Sequence, residues 1–209
     1  NDIEVITYGE AADFSISHIS LQPTAAHARI TKLGKVLGEL SLSIPGRHNV
    51  ENATSALAAG LKLGAPVSDL LTGLSSFSGA KRRFENKGSA NGVTVIDDYG
   101  HHPTEVRVTL ETAKRFAGNG KIIVIFQPHR YSRTAMFVSE FAEVLDIADQ
   151  IFLLEVYAAS EAAIPGVSSI LISNAMASPK VKFEPSMIEV VNESVAMANP
   201  GDVIITLGA

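Results

Sequence analysis

Apolar and polar positions change rhythm three times along this chain. Residues 1 to about 46 alternate in the short, β-branched manner of strands, and predict them at Ile3–Tyr8, Phe14–Leu21, Ala26–Leu33 and Lys35–Ile44. Gly34-Lys35 is the expected hairpin turn of the last pair. After Pro45-Gly46 the period lengthens. Ala53, Ala56, Leu57, Gly60 and Leu61 fall on one helical face within Asn49–Leu63, and Val67–Leu74 predicts a second helix entered through Pro66. Ser75–Arg83 is a Gly/Ser/Lys-rich connector between domains.

From Phe84 onward, short apolar runs alternate with helix-length segments. Strands are expected at Val93–Asp97, Lys121–Phe126, Gln150–Leu154, Lys180–Glu184 and Asp202–Leu207. Helices are expected at Pro103–Phe116, Ser132–Leu145, Val167–Ala177 and Ser186–Ala198. That alternation builds βαβ units, hence an α/β fold with a mainly parallel sheet and right-handed crossovers. In such a sheet, ligands gather beyond the carboxyl ends of the strands.

Composition narrows the picture. The chain has 209 residues, 46% of them hydrophobic, enough for one large domain or two small ones. With 17 basic and 22 acidic side chains it lacks the basic balance of a nucleic-acid binder. It has no cysteine, which excludes disulfides and thiolate chemistry and agrees with a cytoplasmic setting. No apolar run approaches the ~20 residues of a membrane span. The chain opens and closes directly on strand-like segments, which gives the expectation of a piece of a longer protein.

Two strings at strand ends carry the candidate chemistry: Asp97-Asp98-Tyr99-Gly100-His101-His102-Pro103-Thr104-Glu105 and Gln127-Pro128-His129-Arg130-Tyr131-Ser132-Arg133-Thr134. In the first, one aspartate capping the following turn is the ordinary explanation. A ribose hydroxyl pair accepted by Asp98, with a neighbouring ring as a flat surface, is the functional one. His101 and His102 are adjacent and point apart, so one metal held by both is not expected. In the second, Arg130 and Arg133 share a face if already helical and can grip a carboxylate or phosphate, with His129 donating to the same anion. The alternative is a solvated basic helix start, which the helix dipole opposes. Asn49 and Asn52 can read a purine edge or reduce to one N-cap. Lys81-Arg82-Arg83 is a solvated charge run or a phosphate contact at a hinge. No Gly-x-x-x-x-Gly-Lys-Ser/Thr loop, Gly-x-Gly-x-x-Gly fingerprint or serine elbow is present.

The strings PGRHNVENATSALAA, FSGAKRRFE, VIDDYGHHPTEV, IVIFQPHRYSRT and EVYAASEAAIPG, in this order, resemble the Mur ligase family and its alanine-adding branch. The resemblance implies that residues 1–82 are the C-terminal portion of a central ATP-binding domain without its phosphate loop. It implies that residues 83–209 form a Rossmann-like C-terminal domain. It further implies an ATP- and magnesium-dependent ligase of peptidoglycan synthesis, with UDP-N-acetylmuramate and L-alanine as substrates and an acyl phosphate between them. The magnesium ligands are expected in the missing part, so the chain is expected to be inactive alone. By the same resemblance Asn49, Asn52, Arg83, Asp98, Tyr99 and His101 bind ATP. His129, Arg130, Arg133 and Tyr157 hold the alanine carboxylate, and Arg83, His129, Arg130 and Arg133 form the catalytic set. The competing expectation is a non-catalytic module of the same family that binds a nucleotide or an anion.

Overall fold

The computed structural model describes residues 3–176 and 178–208, and the chain divides into two compact units, one ending at Gly79 and the next beginning at Ala80. The first unit is a four-stranded sheet, β1 (Tyr8–Gly9), β2 (Phe14–Leu21), β3 (Ala26–Lys32) and β4 (Lys35–Leu42), followed by α1 (Arg47–Lys62) and α2 (Val67–Ser76). The strands lie in chain order, with β1 parallel to β2 and the rest antiparallel. Phe14, Ile16, Ala28, Ile30, Leu40 and Leu42 alternate onto one face and close a core with Val50, Ala53 and Leu57 of α1.

Two expectations shift here. The Ile3–Tyr8 strand shrinks to Tyr8–Gly9, and Ile3 and Val5 stay exposed. Asp13 explains this: its carboxylate accepts the Thr7 N–H at 2.9 Å and the Thr7 hydroxyl at 2.8 Å, closing a local loop in place of a ladder. The hairpin turn moves back one residue, to Leu33-Gly34.

The second unit contains β5 (Glu85–Ala90), β6 (Val93–Asp98), α3 (Pro103–Ala117), β7 (Ile122–Phe126), α4 (Tyr131–Met136), α5 (Val138–Leu145), β8 (Gln150–Leu153), α6 (Ile170–Met176), β9 (Val181–Phe183), α7 (Met187–Met197) and β10 (Val203–Leu207). Its sheet has the order β5-β6-β10-β7-β8-β9, parallel except for β5 at the edge. Both faces are covered. Ile122, Val124 and Phe126 pack with α3, α5 and α6, while Ile123 and Ile125 pack with Val190 of α7. The mainly parallel Rossmann-like sheet with flanking helices is thus present.

β5 was not expected. Its residues, Glu-Asn-Lys-Gly-Ser-Ala, show no apolar alternation because an exposed edge strand needs none. Its signal was the turn: Asn91 and Gly92 take φ of 52° and 77°, the pair of left-handed positions that a tight hairpin requires. The single helix expected over Ser132–Leu145 is two, broken at Phe137, whose ring leaves helical register to pack 4.8 Å from His102 and 6.4 Å from Phe141. The helix expected over Val167–Ala177 begins only at Ile170, and Ala177 lies outside the described residues. Ser169 holds the preceding turn down, its hydroxyl donating to the Leu154 carbonyl at 2.5 Å.

The last strand, β10, enters between β6 and β7, with Leu207 level with both Asp98 and Phe126. The carboxyl ends of β6, β10 and β7 therefore stand side by side. Gly208 follows at φ 146°, where a Cβ would lie 2.8 Å from the Gln127 carbonyl, so only glycine lets the three ends approach this closely.

Candidate functional site

The site is assembled from the loops after β6, β7 and β8. At the end of β6 both aspartates are committed to the fold. Asp98 is 5% exposed, and its carboxylate accepts the N–H of Phe84 at 2.7 Å and of Gly100 at 2.8 Å. Burial pushes its carboxyl above the ordinary aspartate value, against these two N–H groups, the Thr109 hydroxyl and the charge of Arg83. Asp97 accepts the Thr206 hydroxyl at 2.7 Å and Arg82 Nε at 3.1 Å. Between the two readings of this pair, capping of the turn describes what Asp98 does in this structure. The exposed group at this corner is Tyr99.

Arg82 ties the corner together. Its Nη2 donates to the Gly208 carbonyl at 2.6 Å, its guanidinium lies 5.0 Å from the Tyr99 ring centre, and its carbonyl accepts the Tyr99 N–H at 2.7 Å. Arg83 stands 5.7 Å from the same ring and 3.6 Å from Glu105. Sequence reasoning passed over Arg82 as one of a charge run, since nothing in a local string shows a bond across the sheet to Gly208.

The start of α3 is a capping arrangement. Thr104 N–H donates to His102 Nδ1 at 3.3 Å, and the Glu105 carboxylate accepts the N–H groups of His101 at 3.1 Å and His102 at 3.3 Å. Burial opposes ionisation of Glu105, but the His101 N–H, the charges of His101 and Arg83 and the His102 N–H outweigh it and hold this carboxyl below its usual value. His102 is thus a structural cap, and His101 is the histidine facing the next loop.

Beyond β7, the chain through His129 pairs with the segment after β8. Tyr157 N–H donates to the Pro128 carbonyl at 2.8 Å, and Arg130 N–H donates to the Tyr157 carbonyl at 2.8 Å. Arg130 is the N-cap of α4, with φ 73° and ψ 136°. It therefore precedes the helix, and the expected helical face shared with Arg133 does not form. The pair is instead set by this kink. Arg133 Nη1 bonds His129 Nδ1 at 3.1 Å, while Arg130 is exposed. Glu161, which sequence reasoning did not assign, accepts the Ser132 hydroxyl at 2.6 Å and its N–H at 3.0 Å. Those bonds, with Arg130 nearby, hold the Glu161 carboxyl below its ordinary value.

The three loops meet through their rings. Tyr99 and His101 are 5.2 Å apart between centroids, His101 and His129 5.8 Å, and His129 and Tyr157 5.8 Å in a near-parallel stack. Non-glycine residues at positive φ gather here too: Arg82, Phe84, Arg130, Ala159 and Ser160. Such strain persists where surrounding bonds over-determine the backbone, commonly at binding sites. The result is a polar cluster of rings with Arg83 and Arg130 exposed beside it, able to stack a flat group and grip an anion.

Asn49 and Asn52 belong to the first unit. Asn49 donates its amide to the Pro45 carbonyl at 2.7 Å, and Asn52 is exposed. Among the described residues, no group of three or more His, Asp or Glu could hold a metal ion. No described helix is long and apolar enough to cross a membrane.

Comparison with known proteins puts this geometry in a family. Residues 82–209 match the model described as Mur ligase, glutamate ligase domain. The chain belongs to the Mur ligase family. It is 43% identical over 200 residues to the UDP-N-acetylmuramate–L-alanine ligase of Acidothermus cellulolyticus, covering 95% of this chain and 42% of that protein. It is 43% identical over 209 residues to the enzyme of the same name from Kineococcus radiotolerans, covering 99% and 44%. Among solved structures, the UDP-N-acetylmuramate-alanine ligase of Thermotoga maritima superposes with TM-score 0.81 at 32% identity, covering 98% of this chain and 44% of that one. The chain thus spans less than half the length of these Mur ligases.

Proposed function

We propose that this chain is the amino-acid-binding part, with one wall of the nucleotide site, of an ATP-dependent ligase that joins L-alanine to UDP-N-acetylmuramate. The observation that carries the proposal is the meeting of His129, Arg130 and Arg133 with Tyr99, His101 and Tyr157 at the carboxyl ends of β6, β7 and β8, in a chain 43% identical to ligases of that name. In this reading the γ-phosphoryl group of ATP is transferred to a carboxylate oxygen of UDP-N-acetylmuramate. The alanine amine then attacks the acyl carbon, phosphate leaves with the C–O bond, and the amide remains. Arg130, Arg133 and His129 hold the alanine carboxylate, Tyr157 walls the pocket, and Arg83 meets the phosphates. Positioning and charge stabilisation supply the catalysis.

For the nucleotide, Tyr99 and His101 offer the accessible surface, and Asp98 acts by fixing the loop that carries them. Asn49 and Asn52 of the first unit are assigned to adenine on the family resemblance. Magnesium is assigned, on the family resemblance, to a part of the ligase outside this chain.

The test is a chimaera in which this chain replaces the matching segment of the Acidothermus ligase. ADP release that requires both UDP-N-acetylmuramate and L-alanine is expected. A folded chimaera without such release would reject the proposal. The lack of a phosphate-cradling glycine loop in the 209 residues favours a second reading, a non-catalytic nucleotide-binding module. That reading predicts micromolar ATP affinity for this chain alone, measured by calorimetry, and the ligase reading predicts none.

A further inference from the structure

His129 occupies an unusual position for an imidazole in an anion site: a guanidinium donates to it. Arginine has only donors, so the 3.1 Å bond between Arg133 Nη1 and His129 Nδ1 makes Nδ1 the acceptor. The ring proton must then sit on Nε2. We infer that Arg133 locks His129 as its Nε2–H tautomer, so that this histidine is a fixed hydrogen-bond donor to the bound anion and not a proton acceptor.

Charged and aromatic groups face the ring from three loops. The β6–α3 loop contributes His101 at 5.8 Å, and the histidine's own loop and α4 contribute Arg130 and Arg133. The segment after β8 contributes the stacked Tyr157 ring and the Glu161 carboxylate. Burial comes first and the charges of Arg133, His101 and Arg130 follow, all disfavouring imidazolium. Glu161 alone opposes them, and the proton affinity of His129 falls below the ordinary histidine value. Protonation at Nδ1 would also break the bond to Arg133 and set two cations against each other. Besides its own place in the clamp, Arg133 therefore positions His129. The functional consequence rests on the anion-clamp reading above: the clamp combines the two guanidinium groups with a neutral donor, and a proton released by an incoming amine goes to some other acceptor.

The test is long-range ¹H–¹⁵N correlation of the ¹⁵N-histidine-labelled chain without ligand, with His129 assigned by its loss in His129→Gln. The expected wild-type pattern near neutral pH is a protonated Nε2, a Nδ1 shifted as a hydrogen-bonded acceptor, and a titration midpoint below the ordinary ~6.5. Arg133→Met should move Nδ1 to the shift of a free acceptor and raise the midpoint toward the ordinary histidine value. A proton on Nδ1, or an imidazolium near neutrality, overturns the inference. So does an Arg133→Met variant with neither change. The wild-type spectrum alone decides the tautomer, which keeps the inference testable if that variant does not fold. Acetate then serves as a carboxylate probe. Its affinity should stay flat through the neutral range in wild type and rise on acidification in Arg133→Met. Failure of acetate or L-alanine to bind, with the spectra as expected, would reject the clamp and leave the tautomer assignment standing.

Discussion

The loops after β6 and β7 occupy equivalent places, each at the carboxyl end of a strand flanking β10, yet they use their charges in opposite ways. After β6, Asp97 and Asp98 turn inward and bond the Thr206 hydroxyl, Arg82 and the N–H groups of Phe84 and Gly100. After β7, Arg130 stays exposed on a kinked backbone and Arg133 pairs with a neutral imidazole. One loop is an anchor and the other an open grip. A carboxylate is short and accepts several N–H donors at once, so burial among them is tolerable. A guanidinium at the end of a long stem can remain solvated until an anion arrives.

The comparison breaks most visibly at Asp98. Asp98→Ala leaves two inward N–H groups without acceptors and should destabilise the chain by about 3 kcal/mol in denaturant unfolding. Arg130→Ala should change stability by less than about 0.5 kcal/mol. It should instead raise the L-alanine requirement of the chimaera about thirtyfold, by the loss of ~2 kcal/mol of charge-assisted bonding, with the ATP requirement unchanged. If the two variants behave alike, the division between anchor and grip is wrong.

A finer test uses the kink. Arg130 holds φ 73°, a value that suits glycine, so Arg130→Gly should raise stability by about 1 kcal/mol while removing the anion grip. A melting temperature below wild type would mean the kink is unstrained.

Acidity gives a third view. Asp98 has a raised pKa in the folded chain, so the unfolded chain releases that proton first as pH rises. Its contribution is present in acid and is lost between the ordinary aspartate pKa and the raised value. Glu105, held low, contributes the opposite: stability present above the ordinary glutamate value and lost as pH falls through its depressed one. Asp98→Asn should remove the first slope and leave the second. The smallest effect is expected at Glu161, where Glu161→Gln keeps an oxygen for Ser132 but removes a charge facing Arg130. Acetate affinity should rise about twofold, as for other exposed charge pairs.

Much of this was legible in local patterns. The unbroken apolar run of β7 marks a strand buried on both faces, and the apolar stripe of α3 marks the helix face that covers it, because burial imposes itself directly on side-chain polarity. The strings after β6 and β7 stood out as polar clusters at strand ends. The Phe137 break and the closed Thr7–Asp13 loop were not legible, since each depends on a partner outside the local pattern, and the exposed β5 was legible only through its Asn91-Gly92 turn, because polarity carries no period on a solvated edge.

By itself the sequence determined the elements, their alternation and the residue types available to the site. Only the tertiary structure decided that β10 would enter between β6 and β7, that Asp98 would face inward, and that Arg133 would meet His129. Periodicity is a property of neighbours along the chain, whereas strand order arises from contacts as far apart as Arg82 and Gly208, and the partner of a charged group from the exact backbone path, as the kink at Arg130 leaves Arg133 on His129.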